Sequence, residues 1–339
     1  AEATASVLKI FSGALSDYWG RRKELAVAGY GLSAIVIPLF ALANNPVWIL
    51  IARFGDRFGK GLRVAPRNAL VADVTKAEHR GAAYGFRQSL DTIGAFCGPL
   101  AAIVLMYSTG QNYRLIFWIA LIPAFFSVLL LVVGIREPAQ SIQHKQSPWQ
   151  RENFKQLGRD YWLLLLVALV FNLGNFSDAF LLLRANQVGI SPPLVPLSLV
   201  VMNLIYSLSA YPVGLLSDRM GRIGLLSSGL LLFALVYLGF AFAQTPNQIW
   251  LLFGAYGLYL GMSQGILLAL VADCTPAALR GTAFGLMSLV IGIALLPASG
   301  LAGWLWQSIN PQAPFLMGCF FAIVSLLILL LTVKDKRHV

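Results

Sequence analysis

The chain has 339 residues, 58% of them hydrophobic and only 12% charged, and its mean hydropathy is +0.73. That composition excludes a soluble globular domain, which needs far more polar surface. The net charge of +11 does not mark a nucleic-acid binder, because the charges lie between and inside apolar runs.

Repeated apolar runs of about 20 residues match the length a helix needs to cross about 30 Å of hydrocarbon. An alternating ten-residue pattern, the mark of a membrane barrel, is not the pattern here. The sequence therefore predicts an all-α polytopic membrane protein. Residues 1–16 read as the end of a helix, and residues upstream of Ala1 are expected to be missing. Complete spans follow at about 25–43, 46–72, 82–108, 113–135, 161–184, 194–216, 225–243, 247–271, 282–306 and 314–333. Cys97, Cys274 and Cys319 are odd in number and scattered through apolar segments, so they read as small buried residues and predict no metal site.

Residues 17–24, 73–81, 136–160, 217–224, 272–281 and 334–339 hold 16 of the 25 Lys and Arg residues, and the loops on the other side hold none. Positive charge stays inside, which makes the first set, the C-terminus included, cytoplasmic. Ten of the fourteen acids fall in the same set. The other four, Glu2, Asp56, Asp91 and Asp178, fall inside spans.

The chain repeats itself. Val71-Ala72-Asp73-Val74-Thr75 recurs as Val271-Ala272-Asp273-Cys274-Thr275, and Arg80-Gly81 through Gly85 recurs as Arg280-Gly281 through Gly285, both at a shift of 200 residues. Gly13 to Arg21 recurs as Gly214 to Arg222. The two copies share orientation, which is a parallel repeat about an axis along the membrane normal. Three parts are expected: a helical half over 1–135, a cytoplasmic linker over 136–160, and a six-helix half over 161–339. The first half is one helix and part of another short of six, so the intact protein should have twelve spans.

The loop Gly13-Ala14-Leu15-Ser16-Asp17-Tyr18-Trp19-Gly20-Arg21-Arg22-Lys23 and its echo over Gly214, Asp218, Arg219, Gly221 and Arg222 resemble the G-x-L-x-D-x-x-G-R-R-K signature of the major facilitator superfamily. The resemblance covers essentially the whole chain. It implies two six-helix bundles that rock about a midplane site, and it implies small-molecule transport. Gly20 and Gly221 permit a tight turn. Asp17 and Asp218 are expected to cap the following helix or to pair with arginines such as Arg80 and Arg280, latching the cytoplasmic side. Arg53 and Gly59 match the superfamily's fourth-helix motif, with Asp56 and Arg57 departing from it. Gly85, Gly94, Gly98 and Pro99 are similar to the fifth-helix pattern of proton-coupled antiporters, which implies export; Ala102-Ile103 replace its closing glycine pair. Small residues there predict close helix approach.

Charges inside spans are costly and point to function. Arg53, Arg57, Lys60, Arg63 and Arg67 fall within an arc of about 120° on one helix. Arg63 and Arg67 lie toward the cytoplasm, where pairing or snorkelling accounts for them. Arg53, Arg57 and Lys60 lie deeper, beside Asp56. Arg87 and Asp91 have the i,i+4 spacing of a pair. Glu2 stands about 22 Å up the helix from Asp17. Asn172, Asn175 and Asp178, spaced i,i+3,i+6, predict a polar stripe on one helix. Glu2 and Asp91 lead as proton-coupling residues, and the cation excess predicts an anionic or zwitterionic substrate.

Proton-coupled efflux of small organic compounds is the function expected, with proton-driven uptake of an anionic metabolite as the alternative. A non-transporting receptor of the same fold is the rival from another class. No enzyme is expected, since no nucleophile–base–acid set is present. The expected energy source is the proton gradient, without cofactor or metal; the expected partners are substrate, protons and a prokaryotic inner membrane, and the expected state is a monomer.

Overall fold

A computed structural model describes residues 2–135 and 151–332, with side chains described over 6–135 and 154–332. The Glu2 side chain and most of the expected 136–160 linker therefore lie outside the described residues. Regular structure among the described residues is helical: α1 (Glu2–Trp19), α2 (Arg22–Leu42), α3 (Pro46–Val74), α4 (Arg80–Ser108), α5 (Tyr113–Gly134), α6 (Arg151–Gln156), α7 (Arg159–Gly174), α8 (Ala179–Gln187), α9 (Val195–Met220), α10 (Arg222–Phe242), α11 (Pro246–Asp273), α12 (Arg280–Ser308) and α13 (Ala313–Thr332). Among them nine stretches are long and apolar enough to cross a membrane. α3, with its embedded cations, is not one of the nine although it runs for 29 residues.

Local chemistry sets the ends. Gly20 and Gly221 adopt φ of +64° and +102°, left-handed conformations that glycine adopts without strain, and they turn α1 into α2 and α9 into α10. Thr245 and Gln248 form a capping box over α11, with Pro246 in its first turn. Asn112 accepts from the Leu115 amide at the start of α5.

The seventh span differs from the expectation. The sequence reads 161–184 as one helix carrying a polar stripe, but the backbone leaves the helix at Asn175 (φ −94°, ψ 78°) and resumes at Ala179. Asn172 is on α7, Asn175 ends it, and Asp178 opens α8, so the three do not share one continuous helix face. The short polar side chains of Asn175, Ser177 and Asp178 offer the backbone local alternatives to the helical ladder. Ser177 uses one: its hydroxyl accepts from the Ala179 amide at 3.4 Å, and its own amide donates to Ser299 Oγ at 3.3 Å.

The chain forms two compact units, each drawing on both sequence repeats. The first comprises Ala1–Val74, Cys97–Leu157 and Thr275–Gly292. Its α2 and α3 meet through small residues. A Cβ on Gly29 would stand 2.8 Å from the Gly59 carbonyl, and one on Gly55 2.8 Å from a Val36 methyl. Close backbone approach of this kind replaces the hydrophobic drive that helices lack in lipid.

The second comprises Thr75–Phe96, Gly158–Cys274 and Ile293–Val339. Its core is aromatic. Phe171, Phe176, Phe233, Tyr237, Phe240, Phe253, Tyr256, Tyr259 and Phe315 are all buried. Their rings meet in stacked and edge-on pairs such as Phe233–Tyr237 at 3.9 Å and Phe171–Phe233 at 4.8 Å. Such pairs add about 0.5–1.5 kcal/mol each beyond the area they bury.

Candidate functional site

Two clusters of buried charge repeat the same design. In the first unit, Asp17 ends α1 with a side chain only 2% exposed. It accepts from the amides of Gly281 (3.0 Å) and Thr282 (2.6 Å), from Thr282 Oγ1 (2.8 Å) and from Arg22 Nη2 (3.0 Å). Arg22 also pairs with Asp73 and donates to the Ala277 carbonyl at 2.6 Å. Arg280 closes the ring by pairing with Asp73 at 2.7 Å.

In the second unit, Asp218 accepts from the amides of Gly81 (2.9 Å) and Ala82 (2.7 Å) and from Arg222 (3.0 Å). Arg222 pairs with Asp273 and donates to the Ala77 carbonyl at 2.5 Å. Arg80 pairs with Asp273 at 2.8 Å.

This geometry corrects the expected partners. Asp17 does not cap the following helix, α2, and does not pair with an arginine of the 80/280 position. Its carboxylate caps the start of α12, and Asp218 caps the start of α4. The first turn of a helix offers unpaired amides and a positive dipole end, which favour a carboxylate. Arg80 and Arg280 pair with Asp273 and Asp73 instead. Sequence reasoning left those two acids without a role. Their recurrence at the 200-residue shift was the available signal.

Burial raises the Asp17 carboxyl from its ordinary 3.8 to about 6. The Arg22 charge and the Thr282 and Gly281 donors oppose that rise without cancelling it. Arg21 takes no part in the cluster. It pairs with Glu24 on the surface, 64% and 60% exposed. Arg219 is exposed as well.

Glycines bring the backbones into range. A Cβ on Gly281 would strike the Gly13 carbonyl and stand 2.8 Å from Asp17 Oδ1; one on Gly81 would stand 2.7 Å from Asp218 Oδ1 and from the Gly214 carbonyl. A Cβ on Gly85 would strike the Ala210 carbonyl. Gly94 and Gly98 differ from the sequence expectation: nothing lies within 4 Å of a Cβ at either, so they make no close helix approach. Pro99 sits inside α4.

The embedded charges divide. Arg63 donates to Ser33 Oγ at 3.0 Å and its guanidinium lies 4.4 Å from the Tyr30 ring centroid; Arg67 donates to the Tyr30 hydroxyl at 2.8 Å. These two hold α3 against α2. Deeper in α3, Arg53 is exposed, and Asp56, Arg57 and Lys60 are half-buried. Their stripe lies off the face that Gly55 and Gly59 pack against α2. On α4, Arg87 pairs with Asp91 at 3.2 Å and with Gln88 at 3.0 Å, and Gln88 donates to the Tyr206 hydroxyl at 3.0 Å. In the broken span, Asn172 is spent on its own helix, donating to the Ala168 carbonyl at 2.8 Å. Asp178 accepts from the Tyr256 hydroxyl at 3.1 Å, a partner the sequence did not single out. Among the described residues no three His, Cys, Asp or Glu side chains converge to hold a metal.

Known proteins are similar to this chain over nearly its whole length. An uncharacterized MFS-type transporter of Methanocaldococcus jannaschii is 31% identical over 340 residues, covering 97% of this chain and 83% of that one. The multidrug resistance protein MdtH of Salmonella arizonae is 25% identical over 344 residues, covering 97% and 82%. The crystal structure of the fucose:proton symporter FucP of Escherichia coli superposes with a TM-score of 0.80 at 14% identity, over 98% of this chain and 90% of that one, which shows a common fold. The family model for the Major Facilitator Superfamily matches residues 2–184 and 179–339. The chain is an integral membrane protein and belongs to the major facilitator superfamily of transporters.

Proposed function

We propose that this transporter exports small anionic or zwitterionic organic compounds in exchange for protons, driven by the proton gradient without a cofactor. The observation that carries the substrate class is the charge of α3. Arg53, Arg57 and Lys60 lie within about one turn of Asp56 on α3, three cations to one acid in that stretch. A cation excess at that depth requires anionic partners, and a substrate carboxylate supplies one. Export is supported by the likeness to a protein called a multidrug resistance protein.

The two carboxylate caps act as cytoplasmic latches. Each is made of groups from both sequence repeats, so alternating access opens and remakes them in each cycle. Asp91 takes the proton: its pairing with Arg87 is exposed at the carboxylate (45%), which leaves it open to exchange. Glu2 is the second candidate for that role.

Everted membrane vesicles with an acidified lumen and an internal pH dye test the scheme. Dansylglycine, an anion, and Nε-dansyl-lysine, a zwitterion, serve as probes. Export by proton exchange moves probe into the lumen and alkalinises it. Asp91→Asn is expected to abolish the pH signal while probe binding persists. Lumen acidification on probe entry means symport and rejects export. An Asp91→Asn signal equal to that of the parent rejects the role of Asp91.

A further inference from the structure

Three acids inside spans have described side chains, and two of them have cations at hand. Asp56 sits among Arg53, Arg57 and Lys60 on α3, and Asp91 pairs with Arg87. Asp178 has none. Its Oδ1 accepts one hydrogen bond, from Tyr256, and its Oδ2 takes none from a described residue. The nearest cation along the chain, Arg184 on α8, is committed elsewhere. Its guanidinium donates to the carbonyls of Phe240 (3.0 Å), Ala241 (3.0 Å) and Ala243 (3.1 Å), where α10 ends, and to Gln187.

The surroundings are built. Tyr256 is 2% exposed, and its ring is held 5.4 Å from Tyr259 and 6.2 Å from Tyr237, both fully buried. Its hydroxyl is thereby fixed on Asp178. The carboxylate occupies the break between α7 and α8 and makes no side-chain cap on α8. It is itself exposed. A carboxylate in this position has acceptor capacity to spare, and a charge at membrane depth needs a partner. A primary or secondary ammonium, which only donates, is the complementary group.

We propose that Asp178, positioned by Tyr256, is the subsite for the ammonium group of an amine-bearing substrate. The subsite lies within the second unit, and it rests on Proposed function only for the reading of the chain as a transporter of small organic compounds.

Three fluorescent probes separate the two ends: Nε-dansyl-lysine (zwitterion), dansylglycine (anion) and dansylcadaverine (cation). Each is titrated into the purified full chain in detergent and followed by anisotropy. A charge-assisted hydrogen bond predicts that the zwitterion binds roughly tenfold more tightly than the anion. Asp178→Asn is expected to erase that advantage and leave dansylglycine unchanged. Asp178→Glu, which keeps the charge, retains a preference for the zwitterion, and Tyr256→Phe loses part of it. The thermal midpoint and elution profile of each variant establish that it is folded.

An advantage that survives Asp178→Asn, or is absent from the parent chain, overturns the proposal. If dansylcadaverine binds in an Asp178-dependent way and dansylglycine does not bind, the ammonium subsite stands and the anionic reading falls. If dansylglycine binds and the amine adds nothing, the reverse holds. Failure of all three to bind overturns both.

Discussion

The Asp17 carboxylate and the Gly281 amide are 264 residues apart in sequence and 3.0 Å apart in space. A single buried acid thus joins the loop of the first repeat to a helix start of the second. The equivalent Asp218–Gly81 bond spans 137 residues in the other direction, at 2.9 Å. Pseudo-symmetry makes two carboxylate caps from one motif, and their donors differ.

One difference lies at a hydroxyl. Thr282 adds a side-chain donor to Asp17 at 2.8 Å, while the corresponding position of the other repeat is Ala82, which offers only its amide to Asp218. A hydrogen bond to a charged group is worth about 1.5–3 kcal/mol. Thr282→Ala should therefore lower stability by about 1.5 kcal/mol, read as a drop in the thermal midpoint of the purified protein at neutral pH. A midpoint equal to that of the parent would show that the hydroxyl contributes nothing and that the latches are equivalent.

Acidity should act on the first latch. Asp17 lies outside the membrane-spanning segments and is faced by Arg22 from α2 and by Gly281 and Thr282 from α12. Asp73 and Arg280 lie beyond Arg22. Burial, opposed by Arg22 and the α12 donors, pushes its carboxyl to about 6 from 3.8. The buried form binds a proton that an exposed aspartate has already released, so stability is greatest below about pH 4 and falls as pH rises toward about 6. At about 1.4 kcal/mol for each step of one in pKa, the change is on the order of 3 kcal/mol. Thermal midpoints of parent and Asp17→Asn protein across pH 4 to 7 check this. The parent should show the decline, and the variant should lack it. Parallel curves for the two proteins would remove Asp17 as the titrating group.

Much of this was legible in the sequence because it is local or repeated. Gly20 and Gly221 announce their turns, Arg87 and Asp91 pair along one helix, and the 200-residue shift places Asp73, Arg80, Asp273 and Arg280 in equivalent positions. The target of Asp17 was not legible. Spacing along a helix identifies neighbours three and four residues away, whereas α12 approaches α1 through the tertiary fold. The break at Asn175–Asp178 was hidden for another reason. Hydropathy averages over a window in which Phe171, Phe176 and Phe180 outweigh the polar Asn175, Ser177 and Asp178. Tyr256 could not be singled out among eleven tyrosines without knowing what faced it.

Glycine substitutions distinguish the close approaches that the structure contains from those that the motif alone predicts. At Gly281 a methyl group meets the Gly13 carbonyl and Asp17, with backbone on one side and a fixed carboxylate on the other. Neither can yield cheaply, so Gly281→Ala should cost about 3 kcal/mol through overpacking, and Gly81→Ala should cost a similar amount. At Gly94 and Gly98 a methyl group meets nothing, and alanine is the better helix former by about 1 kcal/mol. Both substitutions on α4 should leave the thermal midpoint unchanged or raise it. If Gly94→Ala or Gly98→Ala destabilises as much as Gly281→Ala, those positions are packed in the folded protein and the open space around them is wrong. If all four are neutral, the helix starts do not need the backbone contact that places their amides on Asp17 and Asp218, and the latch geometry itself is in error.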